Sequence, residues 1–158
     1  MTRTTVEPVR RSVSVPLTPE RAFALFTTRM ERFWPRSHSV GTTPPAAVEL
    51  EPRVGGVWAE VGEDGTRTPW GRVLAWDPPD RLVLAWQLSA DWTYDDTVDT
   101  EVEVRFTAVP DGTRVDLEHR GLDAYAERAE EVRAALGSPG GWAGILTAYD
   151  ALAAGERF

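Results

Sequence analysis

Residues 57–88 read VWAEVGEDGTRTPWGRVLAWDPPDRLVLAWQL, and this stretch decides the fold. Apolar and β-branched residues fill three segments, at 55–62, 66–76 and 81–88, with turn-forming residues between them. Asp64 and Gly65 form the first turn signal, and the Pro78-Pro79 pair forms the second. Short strands joined by such turns are typical of consecutive antiparallel hairpins.

Each turn, read as a two-residue loop, fixes which side chains share a face of the sheet. The first turn places Trp58 opposite Gly71, and the second places Gly71 opposite Trp86. The two indoles therefore lie in one row, and the glycine is expected to leave a gap between them. Two further pairs are predicted on this face: Val73 with Leu84, and Ala75 with Leu82.

The flanking segments extend this sheet and add helices. Further strands are predicted at 10–17, 47–51, 97–108 and 113–120. Thr18 and Pro19 predict a helix start, because threonine caps helices and proline fits their first turn, and a short helical stretch follows at 29–34. Helical spacing returns in two segments, one with Tyr125, Ala129, Val132 and Leu136, the other with Trp142, Ile145, Leu146, Tyr149 and Leu152. This order predicts an α+β fold with an antiparallel sheet backed by helices.

The last hairpin turns at Asp111 and Gly112, which we read as another two-residue loop. That register places Val104 opposite His119 and Arg105 opposite Glu118. Opposite charges facing each other on a solvated surface support the register. It turns His119 toward the inner face of the sheet.

Composition limits the class of protein. The chain has 158 residues, which fits one domain over residues 1–158. It has no cysteine, so disulfides and cysteine-based zinc sites are not expected. No apolar run approaches the roughly 20 residues that span a bilayer, and the N-terminus lacks a secretory pattern. A cytoplasmic location without a membrane span is predicted.

The charge distribution argues against a nucleic-acid partner. The formal net charge is −8, and residues 80–158 hold sixteen acidic residues against seven arginines. Such a surface repels phosphate backbones. Lysine is absent from the sequence, which excludes Schiff-base chemistry on a lysine.

The sequence contains none of the common catalytic or metal-binding motifs. His38 and His119 are the only histidines, and the acidic residues over 91–103 match no known calcium or magnesium loop. We therefore predict no catalytic residue, metal or cofactor. His119 and Glu60 are candidates for acid–base chemistry in a cavity; the alternatives are a hydrogen-bonded core histidine and a rim carboxylate.

Seven tryptophans in a chain of this length are unusually many. Core packing accounts for some of them, and an indole-lined pocket is the functional alternative. The candidate ligand-binding residues share the inner sheet face or the last helix, and they are Trp58, Glu60, Gly71, Trp86, Val104, His119, Trp142 and Leu146.

Segments along nearly the whole chain resemble one known family. They are TPERAFALFT at 18–27, FWP at 33–35, HSVG at 38–41, EPRVGG at 51–56, GRVLAWDPP at 71–79, RLV at 81–83, DGTRVDLEH at 111–119 and GW at 141–142. Together they resemble the homologues of the activator of heat-shock-protein-90 ATPase, in the START-like (SRPBCC, birch-pollen-allergen-like) superfamily. The resemblance implies a helix-grip fold, in which a curved antiparallel sheet wraps around a long C-terminal helix with a cavity between them.

The leading hypothesis is a protein that binds a small hydrophobic molecule, aromatic or lipid-like, in that cavity. One alternative is a chaperone-interacting or regulatory protein that acts through its surface. Another is a cyclase- or hydrolase-like enzyme that uses His119 and Glu60. A protein partner, and the choice between a monomer and a homodimer, stay open from the sequence.

Overall fold

A single antiparallel sheet of seven strands forms the framework of the computed structural model, which describes residues 6–34 and 45–155. The strands are β1 (Val9–Val15), β2 (Pro45–Leu50), β3 (Val57–Gly62), β4 (Arg67–Asp77), β5 (Arg81–Trp86), β6 (Thr100–Val109) and β7 (Gly112–Arg120). Their spatial order is β1-β7-β6-β5-β4-β3-β2. Strands β2 to β7 form a meander, and β1 joins it by pairing with β7 at one edge.

The helices are α1 (Pro19–Thr28), α2 (Met30–Phe33), α3 (Ala129–Leu136) and α4 (Trp142–Gly155), with a 3₁₀ helix at Leu122–Arg128 before α3. The predicted start of α1 is confirmed, because Thr18 Oγ1 accepts a hydrogen bond from the Arg21 N–H and Pro19 occupies the first turn. None of the helices in the described ranges is long and apolar enough to cross a membrane.

The inner sheet face packs against α1, α2 and α4, and this interface is the hydrophobic core. The Tyr149 hydroxyl of α4 donates a 2.7 Å hydrogen bond to the Ala22 carbonyl of α1, and the Tyr149 ring packs edge-on against Phe26 and Phe33. The sheet therefore curls around α4, as the predicted helix-grip architecture requires.

The first two hairpins have the predicted central pairing but different loops. Trp58 lies opposite Gly71 and Gly71 opposite Trp86, which confirms the predicted row. Both loops hold three residues, at 63–65 and 78–80, rather than the predicted two.

Two bulges in β4 compensate for the longer loops. Trp70 and Leu74 each lack a partner in the ladder of an adjacent strand, so the register returns to the predicted one between the bulges. Beyond the second bulge the predicted pairing of Ala75 with Leu82 is wrong, because Trp76 pairs with Leu82 instead. The extra residue turns Trp76 inward, where its ring packs 5.0 Å from that of Phe23.

The predicted register of the last hairpin is wrong by two residues. Val109 pairs with Gly112, so the loop is 110–111 and His119 lies opposite Val102 rather than Val104. Arg105 faces Asp116, not Glu118. A shift of two preserves the alternation of faces, and His119 is fully buried, on the predicted face.

The outer sheet face carries an ion-pair network centred on Glu103. Its carboxylate accepts 2.6 Å hydrogen bonds from Arg81 and Arg120, and Arg105 lies 2.9 Å away. Burial raises the pKa of Glu103, but the hydrogen bonds from the two arginines outweigh it and hold the pKa below its usual value.

Candidate functional site

Five tryptophans meet at one end of the core, and we call them the indole cluster: Trp34, Trp58, Trp70, Trp86 and Trp142. Three come from the central strands β3, β4 and β5, one begins α4, and Trp34 directly follows α2. All are buried except Trp34, which is half-buried.

Trp34 is the member that contacts all four others. Its ring centre lies 4.7 Å from Trp70, 5.5 Å from Trp142, 6.2 Å from Trp86 and 6.4 Å from Trp58. The other four form a continuous wall around it, with neighbouring ring centres 5.3 to 5.8 Å apart. These separations are typical of packed aromatic pairs.

The indole N–H groups of the cluster are unequally satisfied. Trp58 Nε1 contacts Met30 Sδ at 3.3 Å, and Trp142 Nε1 donates to His119 Nδ1 at 3.0 Å. The Nε1 atoms of Trp34, Trp70 and Trp86 are buried and have no hydrogen-bond partner in the described structure. Buried donors without partners are rare in native proteins and destabilise by about 1–3 kcal/mol each.

His119 is held in one tautomer by its neighbours. Because an indole nitrogen can only donate, Nδ1 of His119 accepts the bond from Trp142 and carries no proton. The proton therefore resides on Nε2, which donates to Thr100 Oγ1 at 2.9 Å, and the Thr100 hydroxyl donates to the Trp86 carbonyl. Burial lowers the pKa of His119 to about 3, so the ring is neutral near pH 7.

The remaining candidate residues do not all meet in one place. Glu60 is buried and lies two residues from Trp58 on β3, so both side chains project from the same sheet face. Val104 and Leu146 are buried core residues, and Val104 pairs with Leu117 rather than His119. The structure therefore brings Trp58, Trp86, His119 and Trp142 into one set of ring contacts.

Gly71 does not leave the gap that the sequence predicted. A Cβ atom at this position would lie 1.7 Å from the Ala85 carbonyl oxygen, so the β5 backbone occupies that space. The glycine permits a close approach of two strands beside the bulge at Trp70.

Sequence reasoning missed two members of the cluster, Trp34 and Trp70. Trp70 turns inward because it is a bulge residue. The signal for a bulge here is that Pro69 and Gly71 flank Trp70 in the middle of a strand. Trp34 follows a helix of four residues, and no periodicity predicts its direction. His38 and its neighbours 39–41 lie outside the described residues.

No group of three or more potential metal-ligating side chains (His, Cys, Asp or Glu) comes together within residues 6–34 and 45–155. Chemically, the indole cluster is an apolar aromatic site in which three N–H donors have no hydrogen-bond partner in the described structure. It can stack a planar ring and donate hydrogen bonds to its oxygen atoms.

Comparisons with known proteins agree with this architecture. The family model described as "Activator of Hsp90 ATPase homolog 1-like protein" matches residues 16–153. No curated protein matched the chain.

Among solved structures, the chain is similar to an anthrahydroquino-γ-pyrone synthase, Txn09, with 37% identity, a TM-score of 0.65 and coverage of 94% of this chain and 97% of that one. It is also similar to the self-sacrificing resistance protein CalC from Micromonospora echinospora, with 28% identity, a TM-score of 0.70 and coverage of 96% of both chains. The Aha1 protein from Colwellia psychrerythraea, solved as a dimer, shares 13% identity at a TM-score of 0.64, with coverage of 94% and 97%.

Proposed function

The chain belongs to the family of proteins like activator of Hsp90 ATPase homolog 1, and on that premise we propose that it binds a small planar aromatic molecule at the indole cluster. Members of this fold bind hydrophobic ligands. Five packed indoles favour a flat ring system over a flexible lipid chain, because aromatic rings gain stacking and edge contacts beyond simple burial.

The unpaired indole N–H groups carry this proposal. Trp70 and Trp86 each bury a donor that no described residue accepts. A ligand with carbonyl or phenol oxygens would satisfy these donors and remove their desolvation penalty. The ligand is therefore an aromatic molecule with acceptor oxygens rather than a pure hydrocarbon.

Binding can be tested by fluorescence quenching with 9,10-anthraquinone-2-sulfonate as the probe. Anthracene-2-sulfonate is the matched control, because it has the same ring system and charge without the two carbonyl oxygens. We expect saturable quenching and tighter binding of the anthraquinone, by about three- to tenfold for one hydrogen bond gained. Absence of saturable quenching with both probes would refute the proposal.

Two variants localise the site. Trp86→Phe keeps an aromatic ring but removes one donor, and we expect it to weaken anthraquinone binding and leave anthracene binding nearly unchanged. Trp92→Phe is the control, because Trp92 is exposed and lies outside the indole cluster. Equal effects of both variants would place the probe elsewhere.

A second candidate function, ring closure on an aromatic substrate, is favoured by the 37% identity to a γ-pyrone synthase. In such a closure a phenol oxygen adds to a side-chain ketone and water leaves. Indole N–H groups can stabilise the negative charge that develops on oxygen, and Glu60 is the buried carboxylate nearest in sequence to the cluster. His119 is not suited to acid–base work, because both its ring nitrogens are already hydrogen-bonded.

This reaction can be tested with an aryl 1,3-diketone that carries a phenol beside the side chain. We expect the protein to accelerate formation of the pyrone, and Glu60→Gln to slow it without abolishing anthraquinone binding. A rate equal to that in buffer would leave ligand binding as the only function proposed. The structural likeness to Aha1, at 13% identity, shows the fold alone and carries no argument for a chaperone partner.

A further inference from the structure

The indole of Trp34 lies within the cluster in an arrangement that differs from that of its neighbours. It is tilted by only 36° from Trp70 and 39° from Trp86, and it stands at 88° to Trp58 and 80° to Trp142. Two of its neighbours are thus tilted from the ring by less than 40°, and the other two stand nearly perpendicular to it. A flat aromatic guest in an aromatic site would meet its neighbours through such tilted and edge contacts.

Trp34 is also less firmly held than the four tryptophans around it. The backbones of Trp58 and Trp86 are held by strand pairing, and the Trp70 carbonyl accepts a hydrogen bond from the Gln87 N–H. Trp142 is held by the bond from its indole to His119. Trp34 follows the four-residue helix α2, and its backbone N–H bonds to Met30. Rotation of its side chain would leave the sheet, α4 and this backbone bond in place.

The polar group of Trp34 is not satisfied where it lies. Its Nε1 is buried without a partner, as are the Nε1 atoms of Trp70 and Trp86. Indole offers a donor but no acceptor. Three donors without partners therefore belong to packed rings of one apolar cluster, so the packed state keeps a desolvation penalty that a guest with acceptors would relieve.

From these observations we propose that Trp34 is a stand-in for the ligand. The ligand is a fused-ring aromatic at least as large as indole, with carbonyl or phenol oxygens, and it displaces the Trp34 side chain to take its place between Trp70 and Trp86. This inference rests on the proposed function, and it adds where the ligand sits, how large it is and what must move.

Displacement has a measurable consequence for affinity. If the state with Trp34 rotated out is populated at about 10% or less, the apparent affinity of the wild type falls by tenfold or more. Removing the indole abolishes this penalty. Were Trp34 instead one wall of the site, its removal would take away a stacking surface and weaken binding.

The test compares Trp34→Ala with the wild type, using 9,10-anthraquinone-2-sulfonate in calorimetric titrations. We expect about tenfold tighter binding by the variant. Trp76→Ala is the matched control, because Trp76 is a half-buried indole that packs on Phe23 outside the cluster, and it should leave the affinity unchanged. Weaker or unchanged binding by Trp34→Ala would overturn the stand-in role.

A measurement on the wild type covers the case in which Trp34→Ala does not fold. Indole N–H resonances of ¹⁵N-labelled protein report each tryptophan separately, and Trp34→Phe assigns the signal of Trp34. On adding the probe we expect the signals of Trp70 and Trp86 to move downfield and that of Trp34 to gain exchange with solvent. A Trp34 signal that stays protected while the probe binds would overturn the proposal.

Failure of the stand-in role is distinguishable from failure of the proposed function. If neither the wild type nor Trp34→Ala binds the probe, ligand binding itself is refuted and the stand-in role with it. If the wild type binds and Trp34→Ala binds more weakly, the binding function stands and only the stand-in role is refuted. If the wild type binds and Trp34→Ala binds about tenfold more tightly, both the function and the stand-in role are supported.

Discussion

The indole of Trp142 donates a 3.0 Å hydrogen bond to Nδ1 of His119, which ties the first residue of α4 to the C-terminal end of β7. Nε2 of His119 in turn donates a hydrogen bond to the Thr100 hydroxyl of β6. The histidine thus joins the last helix to two strands and positions one wall of the indole cluster. Both ring nitrogens are hydrogen-bonded in the core, which is the arrangement that the sequence left open as an alternative to acid–base chemistry.

The first prediction concerns pH. The pKa of His119 is about 3 in the folded protein against 6.5 for a free histidine, so between these values the unfolded chain binds a proton that the folded one does not. Above pH 6.5 His119 does not contribute to the pH dependence of the free energy of unfolding. Between pH 6.5 and pH 3, its contribution lowers the free energy of unfolding by about 1.4 kcal/mol for each pH unit. Urea unfolding of His119→Gln should therefore show the stability advantage of the wild type shrinking from pH 7 to pH 5.

His38→Gln is the appropriate background for this experiment, because it leaves His119 as the only histidine. In that background the ring-proton resonances of His119 should not shift between pH 8 and pH 5. A titration with a midpoint near 6.5 would contradict the prediction.

The second prediction concerns the hydroxyl of Thr100. Thr100→Val keeps the shape of the side chain but leaves the His119 Nε2–H and the Trp86 carbonyl without this partner. We expect a loss of about 2 kcal/mol, which lowers the melting temperature by roughly 4–8 °C in a domain of this size. Thr100→Ser restores the hydroxyl and should recover most of the loss. Equal melting temperatures for the valine and serine variants would show that the hydroxyl contributes little.

The third prediction concerns Gly71, where even a methyl group meets the Ala85 carbonyl oxygen. Gly71→Ala should cost at least about 3 kcal/mol, or roughly 6–12 °C in melting temperature. Gly140→Ala is the control, because among the described residues the nearest atom to a Cβ there is the Ser138 hydroxyl oxygen, at 3.9 Å. Thermal denaturation that shows both variants equally stable would mean that β4 and β5 can separate at little cost.

The fourth prediction concerns Glu103 and its arginines. Glu103→Gln should reduce stability by about 2 kcal/mol at pH 7, since charged hydrogen bonds to Arg81 and Arg120 are lost. Because these bonds depress the pKa of Glu103, its contribution is present above the unfolded value of 4.5 and fades as the pH falls below it.

Glu118→Gln provides the comparison for Glu103. Its ion pairs with Arg10 and Arg120 are long, at 3.8 and 4.0 Å, and the effect should stay under about 1 kcal/mol. Chemical denaturation at pH 7 and pH 4 measures both variants. A loss for Glu103→Gln that is the same at both pH values would contradict the assigned linkage.

The meander of β2 to β7 and the faces of most of its strands were predictable because hydrophobic alternation survives errors in loop length. The loop at 78–80 has one residue more than predicted, and the bulge at Leu74 restores the pairing of Val73 with Leu84. No pattern of polarity distinguishes a two-residue loop from a three-residue loop followed by a bulge. The row of Trp58, Gly71 and Trp86 was therefore predicted correctly from loops that were wrong.

The candidate site was less predictable, because it depends on residues that break periodicity. Trp70 and Trp76 face inward only after a bulge has inserted one residue into β4. Trp34 enters the cluster from the end of a helix too short to have a periodic face. The prediction of a gap at Gly71 was wrong for a related reason. Hydrophobic alternation indicates which face of the sheet a residue occupies, but it does not give the distance to the backbone of the neighbouring strand.

Pairing between β1 and β7 has a consequence for how the chain is made. Val9 lies opposite His119 at one edge of the sheet, so β1 leaves the ribosome long before its partner does. At a synthesis rate of about 5–20 residues per second, the interval is roughly 5–20 s. During that time β1 presents unpaired backbone groups along both its edges, and such edges promote association with other chains. Arg10 and Arg11 place two positive charges on the β1 segment before its partner strand is made. Repulsion between these charges opposes pairing of β1 with the β1 segment of another nascent chain.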